Sequence, residues 1–395
     1  LSEQPVGRDF IASGFLLTLI LRLLTSSLLI VIPLFLSKSL SVPDADIGIY
    51  ILLLWVGNAV GVLASIVVLK RQSLSSLFGF TLLLFALLGF AASASSNLIV
   101  TLSDFAAGVG MGMAQPFLAG LMHLDAKRDN PYRGIGLYSV ALGIGLVLGP
   151  LAPYLLLTVG GFSVVYLGLA AFATAGIGEV LIQISHRALP SLGEVEYSLS
   201  FKQWATAFKS KAFSHAISIN FLYSLLLPIV LSYGGVYGEK QFGMSPSTAL
   251  ILFTAIFLIS TLLRSAAVQF GQNTELSLFA SGVFAAASFL AIGMAPSFPV
   301  FLIGMLAFSI PHALVLPATN YKALKSVENE TVMNASYVFQ ASSGVAEFVS
   351  PAIAAVMISF FGLPSIFLVM TPVALLVLYA VVLPYLRAVP KHPRN

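Results

Sequence analysis

Twelve apolar stretches, separated by short polar or Gly/Pro breaks, set what this chain can fold into. Their limits lie near 10–36, 46–69, 74–94, 97–123, 134–158, 162–184, 213–237, 247–270, 275–295, 298–321, 332–360 and 363–387. A helix needs about 20 apolar residues to cross the hydrocarbon of a bilayer. Runs such as Phe80 to Ala92 are apolar on every face, so they lack the alternation of a membrane β-strand. Composition agrees: only 9% of residues are charged and mean hydropathy is +0.99, against about 25% charged in a soluble domain. A soluble enzyme, a disordered chain and a disulfide-stapled secreted scaffold are excluded. The absence of cysteine also removes thiolate metal sites, iron–sulfur clusters and a cysteine nucleophile. No cofactor is expected, and no nucleotide-binding loop is present.

The breaks punctuate the spans. Lys70-Arg71, Asp125 to Tyr132 and Val327 to Glu330 are polar, while Gly160-Gly161, Ser95 to Asn97 and Pro296 to Pro299 are tight turns. The first span is too long for a signal-peptide core and is expected to be a retained helix. With both termini on one side, that side holds fifteen of the nineteen Lys and Arg residues. The other side holds Lys38 and Lys240, and Arg22 and Arg264 fall inside spans. Both termini are therefore expected in the cytoplasm of a cell-membrane protein. The basic pI reflects that topology, not a nucleic-acid partner.

Residues 185–212 form the longest break and divide six spans from six. The expected organisation is a bundle over 1–184, a cytoplasmic linker over 185–212 and a second bundle over 213–395. Within the linker Phe201, Trp204, Ala205 and Phe208 recur at helical spacing beside Lys202, Lys209 and Lys211, which predicts a short interfacial helix. Shifting the first half by 201 residues pairs Ser96 with Ser297, Pro116 with Pro317, Gly143 with Gly344, Pro150 with Pro351 and Gly161 with Gly362. Paired halves with bent helices point to a transporter built from repeats.

In the fifth span Gly136, Gly145, Gly149 and Pro150 fit G-x8-G-x3-G-P. Small residues let a neighbouring helix approach, and the proline bends the span. On this motif and the six-plus-six organisation, the chain resembles the major facilitator superfamily of secondary transporters. The resemblance implies an all-α membrane fold of twelve helices in two pseudo-repeat bundles. It also implies a central cavity lined by spans 1, 4, 7 and 10. Several signatures depart from the family pattern. Pro153-Tyr154 stands where Gly-Gly is usual, Ser65 replaces the acid of the loop after span 2, and Asp104 occupies an Arg position in span 4.

Ionisable groups inside spans are costly and are functional candidates by default. Arg22 shares a face with Thr18 and Thr25; it contacts a substrate or couples protons, or it forms a salt bridge to Asp104. Asp104 lines up with Gly108, Met111 and Gln115, and either pairs with Arg22 or exchanges protons. Glu347, with Tyr337, Gln340 and Gly344 on its face, is the first choice for a proton carrier. Arg264 either binds an anion or snorkels to the cytoplasmic surface. His312 follows Pro311 at mid-depth and reads first as a satisfied hydrogen-bonding His, with titration as the alternative. Asn220 and Tyr223 before Pro228, and Trp55 and Asn58 in span 2, offer hydrogen bonds and stacking. Glu179 reads as a snorkelling residue.

The expected function is secondary active transport of a small organic solute by alternating access, proton-coupled, with a lean to organic anions. The substrate cavity is assigned to Arg22, Asn58, Gln115, Asn220, Tyr223, Arg264, His312, Tyr337 and Gln340, and proton coupling to Glu347 and Asp104. The alternatives are a proton-coupled exporter of cationic amphiphiles and a non-transporting subunit or receptor. No catalytic site is expected. The partners are the solute, protons and the lipid bilayer, with the chain a monomer.

Overall fold

The computed structural model describes residues 8–69, 74–91, 97–126, 131–185, 208–269, 274–327 and 332–388. All of their regular structure is helical. The helices are α1 (Arg8–Lys38), α2 (Asp44–Leu69), α3 (Leu74–Ala86), α4 (Leu88–Ala91), α5 (Asn97–Ala126) and α6 (Pro131–Ser185). They continue as α7 (Lys211–Phe242), α8 (Pro246–Gln269), α9 (Thr274–Gly293), α10 (Phe298–Ala307), α11 (Ser309–Lys325), α12 (Val332–Phe361) and α13 (Ser365–Ala388).

Among the described residues, nine helical stretches are long and apolar enough to cross a membrane. One of them, Val140–Val180, holds two expected spans, because the backbone leaves the helix at Gly160 and Gly161 and α6 is two helical arms joined at that kink. Gly79–Ala91 and Asn97–Met113 are shorter apolar helices. The whole is consistent with twelve crossings. Large apolar side chains such as Val159, Phe360 and Met294 stand exposed, as a lipid-facing surface requires.

Gly161 bends α6 at φ 73°, and Gly362 joins α12 to α13 at φ 77°. These two glycines are the pair that the 201-residue shift brings together. A side chain is disfavoured at such φ, so both halves use glycine for the same backbone purpose.

Two spans expected to be continuous are interrupted. The third breaks at Leu87, between α3 and α4, and the tenth breaks at Phe308, between α10 and α11. Pro311 explains the second break: it has no amide for the carbonyl of Ala307, four residues back. The predicted interfacial helix of the linker lies outside the described residues apart from Phe208, which turns into α7. There Ser210 caps the helix by accepting from the Phe213 amide at 3.3 Å.

The chain divides into two compact units, Leu1–Tyr197 with Ser245–Thr254, and Ser198–Met244 with Ala255–Asn395. In the first, α1 lies along α6 and α2 lies along α5. Gly108 and Gly112 of α5 meet the backbone carbonyls of Leu54 and Asn58 so closely that a methyl group at either would collide with them. In the second unit α7 packs against α11, α12 and α13. A buried cluster of Phe213, Ile217, Val338 and Phe339 closes one end, and Tyr237, Phe301 and Phe367 pack ring against ring elsewhere in that unit.

Candidate functional site

Bent helices leave carbonyls without amide partners, and in an apolar interior each must be served by another group. Side chains of neighbouring helices do this repeatedly. Pro153 has no amide for the Gly149 carbonyl, and Ser27 of α1 donates its hydroxyl there at 2.6 Å. Ser26 reaches the same helix with a longer bond to Gly145 O at 3.2 Å, beside its shorter one to Arg22 O of its own helix at 2.7 Å. Gly145 and Gly149 make this possible, because α1 lies directly on them, with the Arg22 Cβ against Gly145. In the second unit the break at Phe308 redirects its amide to Leu306 O. The released Gly304 carbonyl accepts from Ser288 at 2.6 Å. Ser350 donates to Leu225 O at 2.7 Å, the carbonyl next to that of Ser224, which Pro228 leaves without an amide.

Arg264 belongs to the same set. Its Nε donates to Ala313 O at 3.3 Å and its Nη2 to His312 O at 3.1 Å. Ala313 is four residues before Pro317, so its carbonyl is the one that the proline leaves unserved. A guanidinium presents its donors in a rigid fork that suits two adjacent carbonyls.

Around that grip lies a polar cluster of the second unit. Tyr223 Oη and His312 Nδ1 share a hydrogen bond of 3.0 Å, and both residues are buried. Phe257 stands against the imidazole at 5.3 Å, and Phe308 stacks on Tyr223 at 6.0 Å. Arg264 and Glu347 are both within electrostatic reach of Tyr223. One turn earlier on α7, Asn220 donates its amide to Ser343 Oγ. Ser343 was not among the sequence candidates, although it lies three residues after Gln340 and four before Glu347, on their face of α12. Gln340 itself is exposed and Glu347 half-buried.

The first unit holds a sparser set. Thr18 and Thr25 donate to Gly14 O and Arg22 O of their own helix, which occupies the hydroxyls of the expected polar stripe. Arg22 is half-buried. Asn58 is buried beside Gly112 with its Nδ2 unpartnered. Asp104 is only 3% exposed, and its Oδ1 has no hydrogen-bond partner; a salt bridge to Arg22 is therefore not what serves that oxygen. Glu179 is half-buried on α6. The side chains of Gln115 and Tyr337, and the surroundings of Gly136, lie outside the described residues. Among the described residues no cluster of His, Asp and Glu has metal-binding geometry.

The sequence pattern of the Major Facilitator Superfamily matches residues 14–272. The chain belongs to that superfamily. No curated protein matches it by sequence. Among solved structures it is similar to a mutant form of the nucleoside transporter NupG, at 14% identity and TM-score 0.76 over 95% of this chain and 99% of that one. A D-xylose–proton symporter is similar at 14% identity and TM-score 0.71, covering 94% and 97%. The human organic anion transporter MFSD10 is similar at 16% identity and TM-score 0.63, covering 96% and 100%. At these identities the likeness is one of fold. This superfamily member is thus a multi-pass membrane protein with the fold of secondary transporters, not of an enzyme family.

Proposed function

We propose that the chain is a secondary transporter that moves a small organic solute across the cell membrane by alternating access, coupled to protons, with both termini in the cytoplasm. An organic anion is the preferred substrate class. The observation that carries the reading is the cluster of Tyr223, His312, Arg264 and Glu347 inside a unit of apolar helices. Burying such groups is costly unless they serve a purpose there. The guanidinium supplies a cationic donor, and the imidazole, the phenol and the amide of Asn220 supply orienting hydrogen bonds. Arg22, Asn58, Gln115, Tyr337 and Gln340 complete the proposed contacts. Glu347 and Asp104 are the groups proposed to take up and release the coupled proton.

A thermal-unfolding panel on the purified protein, at about pH 5 and pH 7.5, tests this reading. It would hold carboxylates, phosphates, sugars, amino acids and cationic amphiphiles. A ligand at 100 times its Kd adds about 2.7 kcal/mol of stability. The reading predicts stabilisation by an organic anion that His312→Gln and Tyr223→Phe weaken. Stabilisation by cationic amphiphiles alone would contradict it.

A further inference from the structure

A shallow pocket of about 280 Å³ opens at one end of the second unit, where α7 and α9 begin and α11 ends. Ala212 of α7, Thr274 and Glu275 of α9, and Tyr321, Lys322 and Lys325 of α11 line it. Lys322 Nζ lies 2.7 Å from Glu275 Oε1, an ion pair that ties α11 to α9. Lys325 instead donates to the Tyr321 phenol at 3.3 Å and stands 5.4 Å over its ring. A neutral partner fixes that ammonium without cancelling its charge. Lys209 and Lys211 stand exposed beside Ala212, so lysines outnumber the one glutamate among the described residues of this end. The first amides of α7 and α9 add partial positive charge, since a helix start has donors without acceptors of its own. The flank of the pocket is apolar. On α9, Leu276, Phe279 and Val283 follow Glu275 at helical spacing, and all three side chains are exposed. They form a stripe that leads from the pocket along the helix.

We propose that this pocket holds the headgroup of an anionic phospholipid. The phosphodiester meets Lys325 and the amide ends of α7 and α9, with Lys322 beside it. An acyl chain lies along Leu276, Phe279 and Val283. A soluble anion has no use for that stripe, and a zwitterionic headgroup gains less from the excess of lysine charge. Glu275 sets a limit on the charge of the occupant. Its carboxylate repels a second negative charge, which suits the site to a singly charged diester rather than to a phosphate monoester. Occupancy ties the ends of three helices together and so stabilises the second unit. Lys325 lies about 20 Å along α11 from His312, at 1.5 Å per residue, which separates the lipid from the proposed solute contacts. The transport reading matters here only for the side of the membrane that the pocket faces. In the orientation proposed above that side is the cytoplasm, where the leaflet carries anionic lipid.

Short-chain lipids test this on the purified protein in detergent, through the rise in melting temperature on titration. Dioctanoyl phosphatidylglycerol should stabilise the protein saturably, and dioctanoyl phosphatidylcholine should stabilise it less at every concentration. Lys325→Glu should weaken the phosphatidylglycerol effect by more than about tenfold, since it exchanges an attractive charge for a repulsive one. Lys325→Gln should weaken it less. Lys325 is exposed, so both variants should melt near the unaltered protein when no lipid is added. Phe279→Ser should also weaken the lipid effect. Lys240→Glu, at an exposed lysine of the other end of α7, should respond to lipid as the unaltered protein does. An equal loss in Lys240→Glu, or no preference for phosphatidylglycerol over phosphatidylcholine, overturns the proposal. Inorganic phosphate or glycerol phosphate that stabilises as well as the lipid, with the same dependence on Lys325, marks a soluble-phosphate site and overturns the lipid assignment.

Discussion

Arg264 donates to the carbonyl that Pro317 leaves without an amide partner, that of Ala313, at 3.3 Å. A proline four residues ahead both removes the backbone bond and pushes the carbonyl aside. An arginine on the neighbouring helix supplies the missing donor in an interior where water does not. The clamp lies one peptide from His312, so it also holds the imidazole that meets Tyr223.

Removing the guanidinium should therefore cost more while the proline is present. Arg264→Gln is expected to destabilise the protein by about 1–3 kcal/mol, the range for a buried polar group losing its partner. In a Pro317→Ala background, where the amide at 317 can serve Ala313, the same change should cost clearly less. A double-mutant cycle on thermal unfolding reads the difference. Equal losses in both backgrounds would show that the clamp does not serve the bend.

Ser27 and Pro153 stand in the same relation in the first unit, through the Gly149 carbonyl. Ser27→Ala should lower stability by about 1 kcal/mol, and Pro153→Ala should abolish most of that loss. The check is again a cycle of melting temperatures.

The contact of α2 with α5 has no room for a side chain at Gly112, where a methyl group would meet the Asn58 carbonyl. Gly112→Ala should cost about 1–3 kcal/mol or more, the range for overpacking. Gly178→Ala meets nothing within 4 Å and should leave the melting temperature unchanged or slightly raised, since alanine favours the helix. Similar melting temperatures for the two variants would contradict the packing described.

The chain has no cysteine, so single-cysteine labelling reads its orientation without background. Lys38→Cys and Lys240→Cys should react with a membrane-impermeant maleimide in intact cells. Lys209→Cys and Lys325→Cys should react only after permeabilisation. All four positions are exposed. The reverse pattern would overturn the assignment of the termini.

Much of the fold was legible because its causes are local. Apolar length alone marks a crossing, and a glycine at positive φ is a local demand, which is why Gly161 and Gly362 stood out as a pair. The break at Phe308 was less legible, although Pro311 was in view, because a proline acts on a carbonyl a full turn earlier. The partners of Arg264 could not be read, since they depend on which helix lies beside α8. Ser343 was readable from its spacing to Gln340 and Glu347.

Flux into proteoliposomes tests the central claim most directly. A solute that stabilises the protein would be supplied outside vesicles with and without an imposed pH gradient. The account predicts accumulation driven by the gradient, lost on adding a protonophore and lost in Glu347→Gln or Asp104→Asn. Equal uptake with and without the gradient, or no movement of a solute that plainly binds, would contradict proton-coupled transport.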